Sequence, residues 1–147
     1  MSRLPNPDLL LEKQEPEILL AMCLWGEARG QSVVGVAAVA CTILNRMKRR
    51  DTDVAEVVLK PWQFSSFNKD DPNRAKLAFP LVHDTVHAWE KCYVIATLAL
   101  QGALNDITLG STHYYADSMP EPPYWADEKK GWKQTAKIGG HTFGTAP

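Results

Sequence analysis

Apolar residues recur at intervals of three and four along much of the first hundred residues, which is the spacing of one face of a helix. Residues 15–30 place Pro16 at a first-turn position, continue as the apolar run ILLAMCLW, and end in a glycine that can stop a helix. Residues 33–49 repeat the helical spacing, and Ser32 can cap them. The pattern predicts two consecutive helices.

Two more helices are predicted downstream. Asp53 and Glu56 have the spacing of a capping box before the short segment 54–60, which a proline terminates. The segment 81–102, LVHDTVHAWEKCYVIATLALQG, is the longest helix candidate and ends in another glycine stop.

After Asn105 the chain changes to turn residues, aromatics and alternating polarity, which favour short strands. Gly139 and Gly140 predict a hairpin turn between two of these strands. We expect an α+β fold that is helix-dominated, with a small antiparallel β element near the C-terminus. Residues 1–15, which are rich in proline and polar residues, are expected to form an N-terminal arm, and residues 16–147 a single domain.

Charge and composition narrow the class of partner. The 147 residues suffice to bury a core, and 16 Lys and Arg against 17 Asp and Glu leave a net charge of −1. This balance gives no electrostatic reason to expect a nucleic acid or an anionic membrane as partner.

The basic run RMKRR at 46–50 is expected to be a solvated last turn that complements the helix dipole, with Asn45 and Arg46 ending the helix. The three cysteines lie in apolar segments without metal-binding spacing, so buried free thiols are expected.

No apolar stretch approaches the roughly 20 residues needed to cross a bilayer, and the N-terminus lacks the long apolar region of a signal peptide. We therefore expect the chain to be synthesised in the cytoplasm without a signal peptide and to form no stable membrane association. A monomer without a cofactor is expected.

Glu27 is the position at which the sequence raises a chemical question. It follows the apolar run, and in a helix it would share a face with Cys23 and Leu24. Apolar neighbours and the nearby helix C-terminus both disfavour a carboxylate and raise its pKa, so the acid can donate a proton near neutral pH. The alternative is a partly exposed glutamate that is paired with Arg29 or Arg46.

The sequence HDTVH at 83–87 offers a rival chemistry. In a helix, His83 and His87 would share a face at the spacing of a zinc-binding HExxH motif, with Asp84 in place of the glutamate base. A third ligand would be needed, and the remaining histidines lie in the predicted β element. Two histidines that cap or decorate a surface helix are the simpler interpretation, so no metal is expected.

Six sequence blocks carry a resemblance to a known family. In chain order they are LLAMCLWGEARG, GVAAVACTILNRM, VVLKPWQFSSFN, ATLALQG, DITLGSTHYYAD and KIGGHTFG. Together they are similar to the cell wall hydrolase family of the spore-cortex-lytic (SleB/CwlJ) type. The resemblance covers residues 16–144 and implies a compact fold related to lysozyme and the lytic transglycosylases. It also implies that residues 16–147 are a catalytic domain acting on peptidoglycan glycan strands, with the glutamate of the EARG block, Glu27, as catalytic acid.

The chain also departs from the family pattern. His113 stands where a tyrosine or an apolar residue is expected, and residues 68–80 are longer than usual, so the substrate groove is expected to differ there. The sequence shows neither the wall-binding region nor the export signal common in the spore enzymes, and a leaderless catalytic domain is similar in build to a phage endolysin. We therefore expect it to act on the cell wall after release, once a holin opens the inner membrane.

A single motif carboxylate favours one reaction over another. Glycoside hydrolysis normally uses two carboxyls, about 5 to 9.5 Å apart depending on the stereochemical outcome. Asp106 and Asp117 lie among turn residues, where turn or capping roles are expected. A lone acid suits lytic transglycosylation, because the muramic acid's own 6-hydroxyl is then the nucleophile. A hydrolytic muramidase is the alternative if either aspartate reaches the sugar.

Substrate binding is expected from aromatic and hydrogen-bonding side chains, because the sugar faces of a glycan strand are neutral. Tyr114 and Tyr115 would face opposite sides of a strand, so that only one can line the cleft, and Tyr115 is the choice. Core packing is the alternative for Phe64 and the better interpretation of Tyr114, and His141 either orients substrate or braces the hairpin. The predicted substrate-binding residues are Trp62, Gln63, Phe64, Ser65, Tyr115 and His141.

A non-catalytic wall-binding module is the last alternative. It would use the same aromatic residues as sugar platforms. It would have no need of a carboxyl on an apolar helix face, and this favours an enzyme.

Overall fold

The computed structural model describes residues 3–61, 63–84 and 87–147. Its fold combines packed helices with a small antiparallel sheet, so the predicted α+β class is confirmed. The helices of the described residues are α1 Pro16–Ala28, α2 Val33–Arg50, α3 Val54–Val58, α4 Pro80–His83 and α5 Ala88–Leu100. The strands are β1 His113–Ala116, β2 Lys133–Ile138 and β3 His141–Thr145.

Helix α1 forms the centre of the core because it is apolar on every side. Every residue from Ile18 to Trp25 is buried, and the helix packs against α2, α3 and α5. Such burial exceeds the one-sided pattern of a surface helix. The burial stops at Gly26 and Glu27, which therefore mark the boundary between the core and the surface.

Side-chain caps fix the starts of α2 and α3, as predicted. The Ser32 hydroxyl accepts a hydrogen bond from the Gly35 amide at 3.3 Å, and the Asp53 carboxylate accepts one from the Glu56 amide at 2.9 Å. Each cap satisfies an amide that the first helical turn leaves without a partner. The two helices therefore begin where the local sequence predicts.

The segment 81–102 contains a break, so the prediction of one long helix there is wrong, and α2 is the longest of the described helices. Asp84 has an extended backbone, and His87 has a φ of 55°, in the left-handed region. The Asp84 carboxylate caps α5 by accepting hydrogen bonds from the amides of Ala88 at 3.1 Å and Trp89 at 2.9 Å. This cap gives the backbone an alternative to continuing the helix, and apolar periodicity does not reveal it.

The sheet has the strand order β1-β3-β2, and its neighbouring strands are antiparallel. Strands β2 and β3 form the predicted hairpin, and Gly139 in its turn has a φ of 59°, which favours glycine. Tyr114 of β1 lies opposite Phe143, which is buried against the helices, whereas Tyr115 lies opposite Thr142. Strand β1 is therefore an edge strand whose two faces have different neighbours.

Smaller predictions about the chain have mixed outcomes. The three cysteines are buried free thiols, as expected. In the described residues, no helix has the length and apolar character that a membrane crossing requires.

The N-terminal segment contacts helix α5, since the Trp89 indole donates to the Arg3 carbonyl at 2.9 Å. Within the segment, Gln14 donates to the Asn6 carbonyl at 2.7 Å. Its assignment as an arm separate from the domain stays a prediction.

Candidate active site

A groove of about 930 Å³ runs between the end of α1 and the edge strand β1. The helices contribute Glu27 and Arg46, the connection after α3 contributes residues 63–65, and β1 contributes residues 113–116. The other lining residues are Met119, Pro123, Tyr124, Trp125, Lys130, His141, Ala146 and Pro147. Glu27 has the single side-chain carboxylate among these described lining residues.

The groove brings Glu27 together with five of the six predicted substrate-binding residues. These are Gln63, Phe64, Ser65, Tyr115 and His141. The sixth, Trp62, lies outside the described residues. These residues come from distant parts of the chain, which the fold places around one space.

Glu27 lies in the last turn of α1, half-buried at the groove wall. Within the described residues its carboxyl makes no ion pair. Burial is the main cause that raises the pKa of Glu27 from 4.5 to about 7, the charge of Asp71 adds to the rise, and a hydrogen bond from the Ser65 backbone acts in the opposite direction. The carboxyl therefore stays protonated close to neutral pH and is suited to donate a proton.

Arg29, the nearest arginine in sequence, is engaged away from Glu27. Its guanidinium lies 4.1 Å from the centre of a Trp25 ring. It donates to the Trp25 carbonyl and to the Asn73 side chain, both at 3.0 Å. The interpretation of Glu27 as half of an ion pair, with Arg29 or with Arg46, is therefore wrong.

Arg46 is buried, with 6% of its surface exposed, and crosses from α2 to the groove wall. Its Nε donates to the Thr112 carbonyl, and its Nη1 donates to Gln63 Oε1 at 2.8 Å. The guanidinium lies 5.6 Å from the centre of the Phe64 ring. These contacts hold the predicted substrate-binding residues Gln63 and Phe64 in place. Arg46 therefore does more than end helix α2.

The loop that carries Ser65 lies directly on the end of α1. A Cβ added at Gly26 would overlap the Ser66 side chain and come within 3.2 Å of Leu77. Gly26 therefore permits the close approach that brings the Ser65 backbone to Glu27.

Both tyrosines of β1 line the groove, so the prediction that only one can do so is wrong. The groove passes over the rim of an edge strand and meets side chains from both of its faces. Tyr114 is on the core face, where its ring lies 5.5 Å from that of Phe143. Burial raises the pKa of Tyr114, and the charge of Glu27 is the next cause, so the two groups lie near each other.

An aromatic cluster covers the other face of β1. The Trp125 ring lies 5.3 Å from His113, 5.4 Å from Trp132 and 6.1 Å from Tyr115, between ring centres. The sequence offers Tyr124 and Trp125 as aromatic groups outside the helices, although neither belongs to the predicted set of substrate-binding residues. They provide the flat apolar surfaces on which sugars stack.

His141 is buried beside Tyr114, with its ring edge-on at 5.2 Å. Its Nδ1 has no hydrogen-bond partner among the described residues. Burial lowers the pKa of His141, which favours the neutral ring at neutral pH. Because this nitrogen is itself buried, both predicted roles of His141, orienting substrate and bracing the hairpin, stay predictions.

Asp106 and Asp117 lie outside the groove lining and have structural partners. Asp106 accepts hydrogen bonds from Asn45 at 2.9 Å and from the Thr108 hydroxyl at 2.6 Å. Asp117 accepts one from the Thr142 hydroxyl at 2.5 Å. Asp106 therefore has the turn-stabilising role that the sequence predicts, whereas the Asp117 side chain links the end of β1 to β3.

His83 and His87 lie on opposite sides of the break between α4 and α5, so they do not share the helical face that the zinc alternative requires. In residues 3–61, 63–84 and 87–147, no three His, Cys, Asp or Glu side chains are grouped closely enough to hold a metal ion. The zinc alternative therefore lacks its ligand set among these residues.

Comparisons with known proteins agree with the fold. The solved catalytic domain of the germination-specific lytic transglycosylase SleB from Bacillus anthracis has a similar fold, with a TM-score of 0.65 and 22% identity. The similarity covers 96% of this chain and 99% of that one. The comparison with curated proteins gives no match. A family model described as Cell Wall Hydrolase matches residues 30–144, which is most of the chain. The chain therefore belongs to the cell wall hydrolase family, as its sequence blocks predict, and is a peptidoglycan-degrading enzyme.

Proposed function

We propose that the chain cleaves the glycosidic bond between N-acetylmuramic acid and N-acetylglucosamine as a lytic transglycosylase, with Glu27 as its catalytic acid and base. The family match begins after Glu27, so the support for this residue is the groove itself. The observation that carries the proposal is a single half-buried side-chain carboxyl, with a pKa raised to about 7, among the described residues that line the groove.

The reaction moves two protons, one from Glu27 to the leaving oxygen and one from the substrate back to Glu27. Protonated Glu27 gives its proton to the glycosidic oxygen while the bond from that oxygen to C1 of the muramic acid breaks. The Glu27 carboxylate then removes the proton of the muramic acid's 6-hydroxyl, and that oxygen forms a bond to C1. The products are a 1,6-anhydro ring and a free N-acetylglucosamine hydroxyl, and Glu27 is protonated again.

This chemistry requires the 6-hydroxyl, rather than water, to reach C1. The nucleophile belongs to the substrate, so no second carboxylate is needed to activate it. Asp106 and Asp117 are the candidates for a muramidase base. Both lie outside the groove lining, where Asp106 accepts a hydrogen bond from Thr108 and Asp117 accepts one from Thr142. The hydrolytic alternative is therefore the less favoured of the two.

The glycan strand is proposed to lie along the edge of β1. The groove wall offers polar groups from Gln63, Ser65 and His141 to the sugars of the strand. Tyr115 offers an aromatic ring from the aromatic cluster. Trp62 is proposed as a further substrate-binding residue from its sequence position. The role as a phage endolysin with holin-dependent release stays a prediction from the sequence.

Mass spectrometry of fragments released from purified sacculi tests the proposal. A lytic transglycosylase releases muropeptides with 1,6-anhydro-muramic acid ends. Reducing muramic acid ends would overturn the transglycosylase assignment in favour of a muramidase. Stem peptides released without any cut in the glycan would overturn the glycosidic cleavage itself.

A further inference from the structure

A basic pocket of about 120 Å³ adjoins the groove. The last two turns of α2 contribute Arg46, Arg49 and Arg50, the segment before and at the start of β1 contributes Thr112 and His113, and Pro147 completes the lining. Arg46 and His113 also line the groove, so the two spaces share a wall. We name this space the arginine pocket.

The charges of the arginine pocket have no anionic partner within the described residues. The ion pair that these residues contain joins Arg3 to Glu15, far from α2 in the sequence. Within the described residues, none of the three guanidinium groups has a carboxylate oxygen within 4 Å, although the chain contains 17 acidic residues. Burying a charge costs free energy unless a partner of opposite charge compensates it.

Arg46 is the most deeply buried of these three charges. It is 6% exposed, and its bonds to Thr112 and Gln63 use two of the five N–H groups of a guanidinium. Burial lowers the pKa of Arg46, and the charges of Arg50 and Arg49 lower it further. The cluster thus carries an unfavourable like-charge arrangement that a bound anion would relieve.

The two neighbouring arginines differ in the hydrogen bonds that they make within the described residues. Arg49 donates to the Ala146 carbonyl at 2.5 Å and to the Thr112 hydroxyl at 3.4 Å. Arg50 is exposed, and within the described residues its guanidinium donates no hydrogen bond. Arg50 is therefore free to bind a ligand, and its replacement breaks no contact that the fold shows.

His113 lies between the pocket and the groove and adds no charge of its own. Burial is the first cause that lowers the pKa of His113 to about 4, followed by the charges of the three arginines. The ring is therefore neutral at neutral pH, and its Nδ1 is bonded to the Thr112 hydroxyl at 2.9 Å. The positive charge at this end of the groove comes from the arginines.

Among the sugars of a peptidoglycan strand, muramic acid brings the acidic substituent. Its O3 carries a lactyl group, whose carboxylate is free on a stripped strand and is extended by an acidic stem peptide on an intact one. N-acetylglucosamine carries no such group. A guanidinium binds a carboxylate through two parallel hydrogen bonds, so an arginine beside the groove can distinguish the two sugars.

We propose that the arginine pocket binds a carboxylate carried by the O3 substituent of a muramic acid residue in the groove, and so sets the register of the strand. The inference rests on the proposed function, since it assigns a specificity site to the same groove. Its consequence is that charged muramic acid substituents are bound more tightly than neutral ones.

The same helix end supplies a matched control. Lys48 lies beside Arg49 in the sequence and is also exposed, but it does not line the pocket. If the basic run served only the helix dipole, Lys48→Gln and Arg50→Gln would have similar effects. If the pocket binds a carboxylate, only Arg50→Gln should weaken substrate binding.

Steady-state cleavage by the wild type, Arg50→Gln and Lys48→Gln tests the proposal on three substrates. These are glycan strands with stem peptides, amidase-stripped strands with free lactyl carboxylates, and stripped strands whose lactyl groups have been converted to amides. We expect Arg50→Gln to raise KM by about fivefold on a charged substrate, with kcat unchanged, and to make KM less sensitive to salt.

The substrates separate the two sources of the carboxylate. A rise in KM on stripped strands that disappears on amidated strands identifies the lactyl carboxylate, and a rise confined to intact strands identifies the stem peptide. Equal KM values for Arg50→Gln and Lys48→Gln on all three substrates would overturn the pocket assignment while leaving the proposed function intact. If the wild type cut none of the substrates, the proposed function itself would be overturned.

Discussion

Glu27 owes its proton chemistry to two influences that act by different means. Burial removes the water that would stabilise the carboxylate, and it is the largest cause of the raised pKa. Asp71 acts through its charge, although it does not line the groove. Since Glu27 must be protonated to start the reaction, we expect activity to fall as the pH rises through about 7.

Replacement of Asp71 by asparagine should move this fall in activity to lower pH. The charge that disfavours ionised Glu27 would be lost, so the pKa of Glu27 would decrease. The asparagine side-chain oxygen can still accept the hydrogen bond that the Asn73 amide donates at 2.8 Å. The pH profile of kcat/KM on soluble glycan strands measures the shift.

Asp70→Asn is the matched control for this profile. Asp70 is the exposed neighbour of Asp71 and is not among the causes that shift the pKa of Glu27. The two variants remove the same charge one residue apart. An unchanged profile for Asp71→Asn, or an equal shift for both variants, would show that Asp71 has no specific effect on Glu27.

The sequence predicts Glu27 because its burial follows from the apolar run that immediately precedes it. The influence of Asp71 could not be predicted, since residues 68–80 carry no helical or strand pattern that would place them beside α1. The contact between Arg46 and Thr112 could not be predicted either, because Thr112 lies 66 positions further along the chain. Contacts made by distant segments leave no local pattern.

The break between α4 and α5 shows how one side chain determines the limits of an element. The Asp84 carboxylate accepts hydrogen bonds from two amides of α5, and α4 does not continue into α5 as one helix. The same aspartate would be the catalytic base in the zinc alternative. Replacing Asp84 therefore tests whether this residue caps α5 or acts as a catalytic base.

Asp84→Ala should destabilise the fold by about 1 kcal/mol, because the first turn of α5 loses a capping acceptor. Urea denaturation measures the free energy of unfolding. Asp84→Asn keeps one acceptor and should lose less. Both variants should cleave sacculi as the wild type does per folded molecule, and a large loss of cleavage by a stable Asp84→Asn would support the zinc alternative instead.

Element boundaries with local causes were predictable from the sequence. Ser32 and Asp53 cap α2 and α3 from adjacent positions, and Gly139 supplies the left-handed turn of the hairpin. The break at Asp84 was missed because apolar spacing continues on both sides of it. Periodicity reports which face is buried, and it does not report where a side chain interrupts the backbone.

The groove is a property of the whole molecule, formed where the free edge of the sheet meets the helical core. The composition and the order of patterns predict the α+β class. They do not predict the strand order β1-β3-β2, which leaves β1 at the edge. That order explains why both Tyr114 and Tyr115 border the groove, and why the arginines of α2 lie beside the start of β1.

Cleavage of purified sacculi by Glu27→Gln, compared with the wild type, tests the assignment of the proton donor most directly. Glutamine keeps the size of the side chain but has no proton to give, so we expect release of soluble fragments to fall by about a thousandfold or more. Binding to sacculi, measured by co-sedimentation, should be retained. Glu17→Gln, at the other end of α1, is the control and should cleave normally. Release by Glu27→Gln within about tenfold of the wild-type rate would show that another group supplies the proton.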